Sequence, residues 1–300
     1  MKKAIFSTEI SLLRRTMQRL LRRNAHSNIT KILRKTHQAD VAQIMRSFNQ
    51  FEQKTIFSLC PTALHKARLL EELDEALIEN VLIKENALNI SKIFRYLDTN
   101  DQATIISMFE EDKQNEILTK IEVDDKEEVE EIMSYPDDSA GSIMTKETFT
   151  LNQNTTVKDS IKKLQSFPEN DKIFYLYVLN DKEKLVGVVS LRTLVTSSNN
   201  KKLKDVMIKD IHAANTKTDQ EEVAKTVAQY NYLALPVVNR QNRFLGIVTI
   251  DDVVDIIREE ASEDFLQMAG VGKDREILLK TPFENAKSRA PWILASLIGG

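Results

Sequence analysis

In the segment Leu12–Arg23 the apolar positions Leu13, Met17, Leu20 and Leu21 fall on one side of a helix, with basic residues between them. The pattern stays helical for a long way. No glycine occurs in the first 140 residues, and only Pro61 and Pro136 interrupt a run rich in Leu, Ile, Glu, Lys and Gln. Strand-like runs, Ile173–Leu179 and Phe244–Ile250, come only afterwards. The chain therefore divides into a helical first half and an α+β second half.

The second half repeats itself. Val186-Gly187-Val188-Val189-Ser190-Leu191-Arg192-Thr193-Leu194 aligns with Leu245-Gly246-Ile247-Val248-Thr249-Ile250-Asp251-Asp252-Val253. At the same offset Tyr177-Val178-Leu179-Asn180 aligns with Pro236-Val237-Val238-Asn239. Each copy opens on a methionine segment, Ile143-Met144-Thr145 or Val206-Met207-Ile208. A helix follows (Thr156–Gln165; Asp219–Tyr230), then a strand, a polar turn, a strand and a second helix. A β-α-β-β-α unit of this size leaves sheet surface uncovered, so the two copies are expected to pack on each other.

Charge is segregated although its total is small. Lys+Arg 42 against Asp+Glu 45 gives a net charge of −3, which excludes a global basic field for nucleic acid. Residues 1–35 hold ten basic side chains and Glu9 as their one acid. Two readings of that segment stay open: a basic amphipathic helix lying on an anionic membrane or a partner, or an ordinary solvated helix. Residues 110–147 carry fourteen acids and four lysines, and residues 251–264 carry seven acids and Arg258.

Candidate enzyme chemistry is absent. A single cysteine, Cys60, excludes an internal disulfide framework and a cysteine-based zinc cluster. The four histidines are scattered, with none at metal-ligand helical spacing, and there is no P-loop, nucleophile elbow or Rossmann glycine run. No signal-peptide core precedes the first helix. On the helix starting near Asp251, Asp252 and Asp255 are i,i+3, while Asp255/Glu259 and Glu260/Asp264 are i,i+4. Each such pair repels by roughly 0.7–3 kcal/mol at about 6 Å. Solvent and salt can absorb this, so the spacing by itself reads as an ordinary solvated helix.

The hydrophobic-Gly-hydrophobic-hydrophobic-Ser/Thr strand followed by a helix resembles the CBS domain, over residues 139–258. Tyr135-Pro136-Asp137-Asp138-Ser139-Ala140-Gly141-Ser142-Ile143-Met144-Thr145 closely resembles the junction of N domain and first CBS copy in the MgtE family of magnesium transporters. His37-Gln38-Ala39-Asp40-Val41-Ala42 is similar to the opening of that N domain, and Leu97-Asp98-Thr99-Asn100-Asp101-Gln102-Ala103 to a helix-start repeat within it. The run Asp252–Asp264 resembles the beginning of the helix that leads to the pore. Lys287–Gly300, with apolar Pro291–Gly300 behind Lys287 and Arg289, resembles the first membrane helix.

The resemblance implies a multidomain chain: an all-α helical-repeat N domain, then an α+β tandem CBS pair and a connecting helix. The expected divisions are a basic N-terminal extension (1–36), the N domain (37–138), CBS domains (139–200 and 201–258), the connecting helix (259–285) and the start of a transmembrane helix (286–300). It implies a cytosolic Mg2+-sensing and gating region, not an enzyme, on the cytoplasmic side of the cell membrane. Partners would be a second copy through the CBS domains and the membrane pore of the same protein, with no nucleic acid. It also implies Mg2+ ligands at Asp252, Asp255, Glu260, Glu263, Asp264, Asp219, Glu221, Asp98 and Asp101. Asn231 stands where the family usually has an acid. Thr249 and Asp252 resemble the ribose contact of CBS domains that bind ATP or another adenine nucleotide; Ser190 and Thr193 hold those places in the first copy. A stand-alone CBS regulator sensing an adenine nucleotide, and a helical adaptor binding protein through residues 37–135, are the alternatives.

Overall fold

The computed structural model describes residues 2–167 and 173–268. Two compact units emerge: residues up to Asp137 with Gly141–Phe149, and Asp138–Ala140 with Thr150–Ser166 and the residues from 173 on.

The first unit is all helical: α1 (Lys2–Arg22), α2 (His26–Leu33), α3 (Gln38–Met45), α4 (Gln50–Ser58), α5 (Ala63–Leu70), α6 (Glu75–Leu82), α7 (Ala87–Phe94), α8 (Thr99–Ser107), α9 (Glu111–Leu118) and α10 (Val123–Met133). Short helices follow from a rhythm of polar caps. His37, Thr62, Asn86 and Glu110 begin the odd-numbered helices from α3 on, at intervals of 25, 24 and 24 residues. Asn49, Asp74, Asp98 and Glu122 begin the even-numbered ones from α4 on, at the same intervals. Each cap has extended backbone, and Asn49, Thr62, Asp74 and Asn86 accept a hydrogen bond from the N–H three residues on. Phe48, Leu73 and Leu97 lie buried just before their caps.

Packing then alternates. α3, α5, α7 and α9 stack in one row, and α4, α6, α8 and α10 in another. This is a two-layer helical repeat, in which each hairpin covers the apolar face of the next. α1 packs on α2 and α3. Met17 is fully buried, and Ile10, Leu13, Leu20 and Leu21 pack against the same core as Ile29 and Leu33. Leu13, Met17, Leu20 and Leu21 of the basic N-terminal helix are thus used internally, whereas Leu12 and the arginines between them are exposed.

The second unit holds β1 (Thr150–Asn152), α11 (Val157–Gln165), β2 (Tyr175–Leu179), β3 (Leu185–Ser190), α12 (Leu191–Thr196), α13 (Leu203–Val206), β4 (Ala214–Asn215), α14 (Gln220–Tyr230), β5 (Ala234–Val238), β6 (Phe244–Thr249) and α15 (Ile250–Met268). It contains two three-stranded sheets, ordered β1-β2-β3 and β4-β5-β6, each with one parallel and one antiparallel pairing. The repeat reaches individual residues. Val178 pairs with Gly187 as Val237 does with Gly246, and both middle strands bulge at the next step. Glu183 and Asn242, at matching places in the two hairpin turns, are both left-handed with φ of 58° and 61°.

The copies pack on one another. Tyr177, Leu185, Ala234, Val238 and Ile247 form a shared cluster, with the rings of Tyr177 and Phe244 stacked at 5.0 Å. The two turns join directly: Leu185 N–H donates to Asn242 O and Phe244 N–H to Glu183 O, each at 3.2 Å. The second methionine segment lies against the first copy, where Ile208 and Val188 exchange two backbone hydrogen bonds of 2.9 and 3.0 Å. No helix among the described residues is long and apolar enough to cross a membrane. Of the connecting helix assigned to residues 259–285, residues 259–268 continue α15; residues 269–300, which hold the rest of that assignment and the membrane helix, lie outside the described residues.

Candidate functional site

Where α15 runs past the start of α14, Glu260 of α15 meets the first turn of α14. Asp219 is the N-cap of α14, accepting from Glu221 N–H at 2.9 Å. Residues 138–140 lie alongside: Ala140 N–H donates to Thr218 O at 2.7 Å and Gln220 N–H to Asp138 O at 2.9 Å. Gln220, 8% exposed, sends its side-chain amide to Glu260 Oε1 at 2.9 Å. One buried amide thus links a carboxylate of α15 to the first turn of α14, where Asp219 and Glu221 flank Gln220 in the sequence. Negative charge is favourable at that end of a helix. Glu221 also pairs with Lys225 at 2.8 Å on the exposed side.

The start of α15 is a second polar knot. Thr249, buried, donates its N–H to Asp252 Oδ2 at 3.1 Å. Its hydroxyl lies 2.7 Å from Asp251 Oδ1 and 2.6 Å from Asp252 Oδ2, so its one proton goes to either. Thr249 and Asp252 are side by side, and Asp252 already caps the helix. In the first copy Ser190 accepts from Thr193 N–H at 3.1 Å and their hydroxyls meet at 2.9 Å, a cap without a carboxylate. Asp255, on an exposed face, pairs with Arg258 at 3.0 Å. Glu263 and Asp264 lie on the last turns of α15, and their side chains fall outside the description.

Asp98 and Asp101 belong to the helical unit, as N-cap and first-turn residue of α8. Among the described residues no three Asp, Glu, His or Cys side chains converge as a metal cage. The helical unit holds a further acidic knot that the sequence reading passed over. Lys146 pairs with Glu131, which also accepts from Tyr135 OH at 2.8 Å. Glu147 accepts from Thr145 and, at 3.1 Å, from Thr99. Burial would raise the Glu131 pKa, but the bonds from Lys146 and Tyr135 and the lysine charge bring it below the ordinary value. Burial, then the bond and charge of Glu131, push the Tyr135 phenol up to about 12. Glu128 beside them is raised by burial first and then by the charge of Glu147. Lys146 among so many acids was the available signal in the sequence.

The family model of the MgtE intracellular N domain matches residues 36–138. The model of the CBS domain matches residues 140–199 and 203–259. The chain therefore carries an MgtE-type N domain followed by a CBS pair. The magnesium transporter MgtE of Bacillus subtilis (strain 168) is 33% identical over 274 residues, which cover 87% of this chain and 60% of that protein. The chain thus spans about three-fifths of this curated relative. A crystal structure of the cytosolic domain of the Mg2+ channel MgtE in complex with ATP superposes with a TM-score of 0.75 at 27% identity, covering 81% of this chain and 99% of that one. The soluble part of a magnesium transporter matches in fold, with a TM-score of 0.70 at 23% identity, covering 84% and 99%.

In the second CBS copy, Asn231 has a local explanation. It ends α14 in the left-handed conformation, φ 55° and ψ 43°, with its N–H on Val227 O. Asparagine is among the few side-chain-bearing residues that adopt this conformation readily. A helix cap, independent of any ion, accounts for the residue there.

Proposed function

We propose that this chain is the Mg2+-sensing and gating region of an MgtE-type magnesium transporter or channel. The ion bridges acidic faces of the N domain, the CBS pair and the connecting helix, and the compact state closes a pore carried elsewhere in the same protein. The region works as a homodimer through its CBS domains on the cytoplasmic side of the cell membrane. The ligands are Asp219, Glu221, Asp252, Asp255, Glu260, Glu263 and Asp264 in the CBS and connecting parts, and Asp98 and Asp101 in the N domain.

The observation that carries this reading is the Gln220–Glu260 bond, which holds a carboxylate of α15 at the acidic first turn of α14. The donor set fits Mg2+: every side-chain ligand is an oxygen, and an ion that keeps several waters needs only one or two carboxylates. Bound there, Mg2+ would neutralise the mutual repulsion of these acids. The chain's own groups do the rest: Gln220 positions Glu260, and Asp219 fixes the start of α14. Magnitude sets the number of ions. One weak site at ten times its Kd stabilises the compact state by about 1.4 kcal/mol. A switch from 1:99 to 99:1 takes roughly 5.5 kcal/mol, hence about four such sites.

The test is thermal unfolding of the chain with Mg2+ against Na+ at matched ionic strength. Mg2+ raises Tm in the native chain, and Asp219→Asn with Glu260→Gln reduces the rise. Equal Tm values in both salts would contradict the proposal. The second reading is a CBS pair whose ligand is ATP or another adenine nucleotide, favoured by the juxtaposition of Thr249 and Asp252. ATP binding lost in Thr249→Ala, with no response to Mg2+, would decide for it.

A further inference from the structure

The exposed cations of α1 and α2 meet no carboxylate among the described residues. Residues 1–35 contain ten basic residues and one acid, while the remaining 265 contain 32 basic and 44 acidic ones. The first thirty-five residues are therefore at +9 on a chain that is otherwise at −12. Arg14, Arg15, Arg19, Arg22 and Arg23 are all exposed, and Arg15, Arg19 and Arg22 form one ridge at i, i+4 and i+7. Lys31, Arg34 and Lys35 extend the exposed charge along and just beyond α2. No acid occurs between residues 10 and 39. Among the described residues, none of these eight cations pairs with a carboxylate. The N-domain family model begins at residue 36, after this hairpin.

We infer that this face docks onto anionic phospholipid headgroups. Charge complementarity makes the argument, and packing fixes the mode. Met17, Leu13, Leu20 and Leu21 are committed to the helical core, and from Glu9 to Arg22 Leu12 is the one exposed large apolar side chain of α1, set among exposed arginines. Adsorption through arginine and lysine at the headgroup plane is what remains, at about 1 kcal/mol per charge near the surface. A bilayer presents its phosphates as one plane and meets this face alone. A nucleic acid extending past the face would meet the −12 of the rest. It would also find no Phe, Tyr or Trp between residues 7 and 47 on which to stack a base. The inference rests on the proposed membrane setting for its biological occasion, though not for its physics.

The experiment is co-sedimentation of the 300-residue chain with vesicles of equal parts phosphatidylglycerol and phosphatidylcholine, against phosphatidylcholine alone, in EDTA. Working without Mg2+ separates this result from the sensing proposal, since a chain that fails to respond to Mg2+ still binds here. Binding specific to the anionic vesicles and falling with salt is expected. Arg15/Arg19/Arg22→Gln weakens it about a hundredfold, at about fivefold per charge. Lys31/Arg34/Lys35→Gln, on the other helix, weakens it as well, which guards against a folding defect in one variant. Equal binding to both vesicles, or anionic binding unchanged in both variants, overturns the inference. Displacement by duplex DNA at lower phosphate concentration than lipid makes the occupant a nucleic acid instead. A lipid-free dimer abolished by the same variants makes it the acidic face of a second copy.

Discussion

Gly187 is the position in the CBS pair where one atom should matter most. It lies in β3, opposite Val178, where the segment that leads into the second copy crosses the first. A Cβ built there falls 2.2 Å from Met207 Sδ, 2.6 Å from its Cγ and 2.8 Å from its Cβ. The thioether is flexible and could swing aside, but Met207 Cβ follows the backbone. That backbone is held one residue later by the paired hydrogen bonds between Ile208 and Val188. Gly187→Ala must therefore displace the segment, and overpacking of this kind costs typically 1–3 kcal/mol. We expect about 2 kcal/mol, because side-chain rotation relieves two of the three clashes and leaves the third. Urea unfolding followed by circular dichroism reads the loss as a lower midpoint at unchanged slope. Met207→Ala in the Gly187→Ala background removes Sδ and Cγ and should recover part of the loss, a coupling a double-mutant cycle measures. A Gly187→Ala protein within about 0.5 kcal/mol of the parent would refute the packing argument.

Tyr177, 2% exposed, has a hydroxyl without a hydrogen-bond partner, and its pKa is driven up by burial first and then by Tyr175. Tyr177→Phe keeps the ring stack on Phe244 and should raise stability by about 1 kcal/mol, seen as a higher Tm; a clear loss would show the hydroxyl to be satisfied. Glu131→Gln should cost about 1 kcal/mol at neutral pH by weakening its link to Lys146. The folded pKa of Glu131 is lowered, so its contribution is present above the ordinary carboxylate value and is lost as pH falls through the lowered one. The gap between parent and variant in urea should therefore close in acid, whereas a gap independent of pH would contradict the assignment. Glu128, raised, works in the opposite sense, favouring the folded state on protonation.

Much of the architecture could be read before the structure because two signals are local. Loss of glycine marks the helical half, and the Val-Gly-Val-Val-Ser and Leu-Gly-Ile-Val-Thr strands mark the repeat, down to equivalent bulges and turn residues. The cap rhythm of the helical unit was equally present, in Asn49, Asp74, Asp98 and Glu122, but it alternates residue types and escapes a search for identical letters. The acids on α14 and α15 could be named from sequence. That Gln220 joins Glu260 to the first turn of α14 could not, because the two are separated by forty residues and by two strands. The role of α1 was underdetermined for another reason: an amphipathic basic helix looks the same whether its apolar side meets lipid or a protein core, and only packing chooses.

The most direct test is small-angle scattering of the 300-residue chain while Mg2+ is raised from none to saturation at constant ionic strength. Asp219→Asn with Glu260→Gln is the comparison, since asparagine still caps α14 and a glutamine carbonyl still accepts from Gln220 while both charges are gone. The account predicts a cooperative fall in radius of gyration for the native chain, displaced to higher Mg2+ in the variant. A radius that stays constant in both proteins would contradict it.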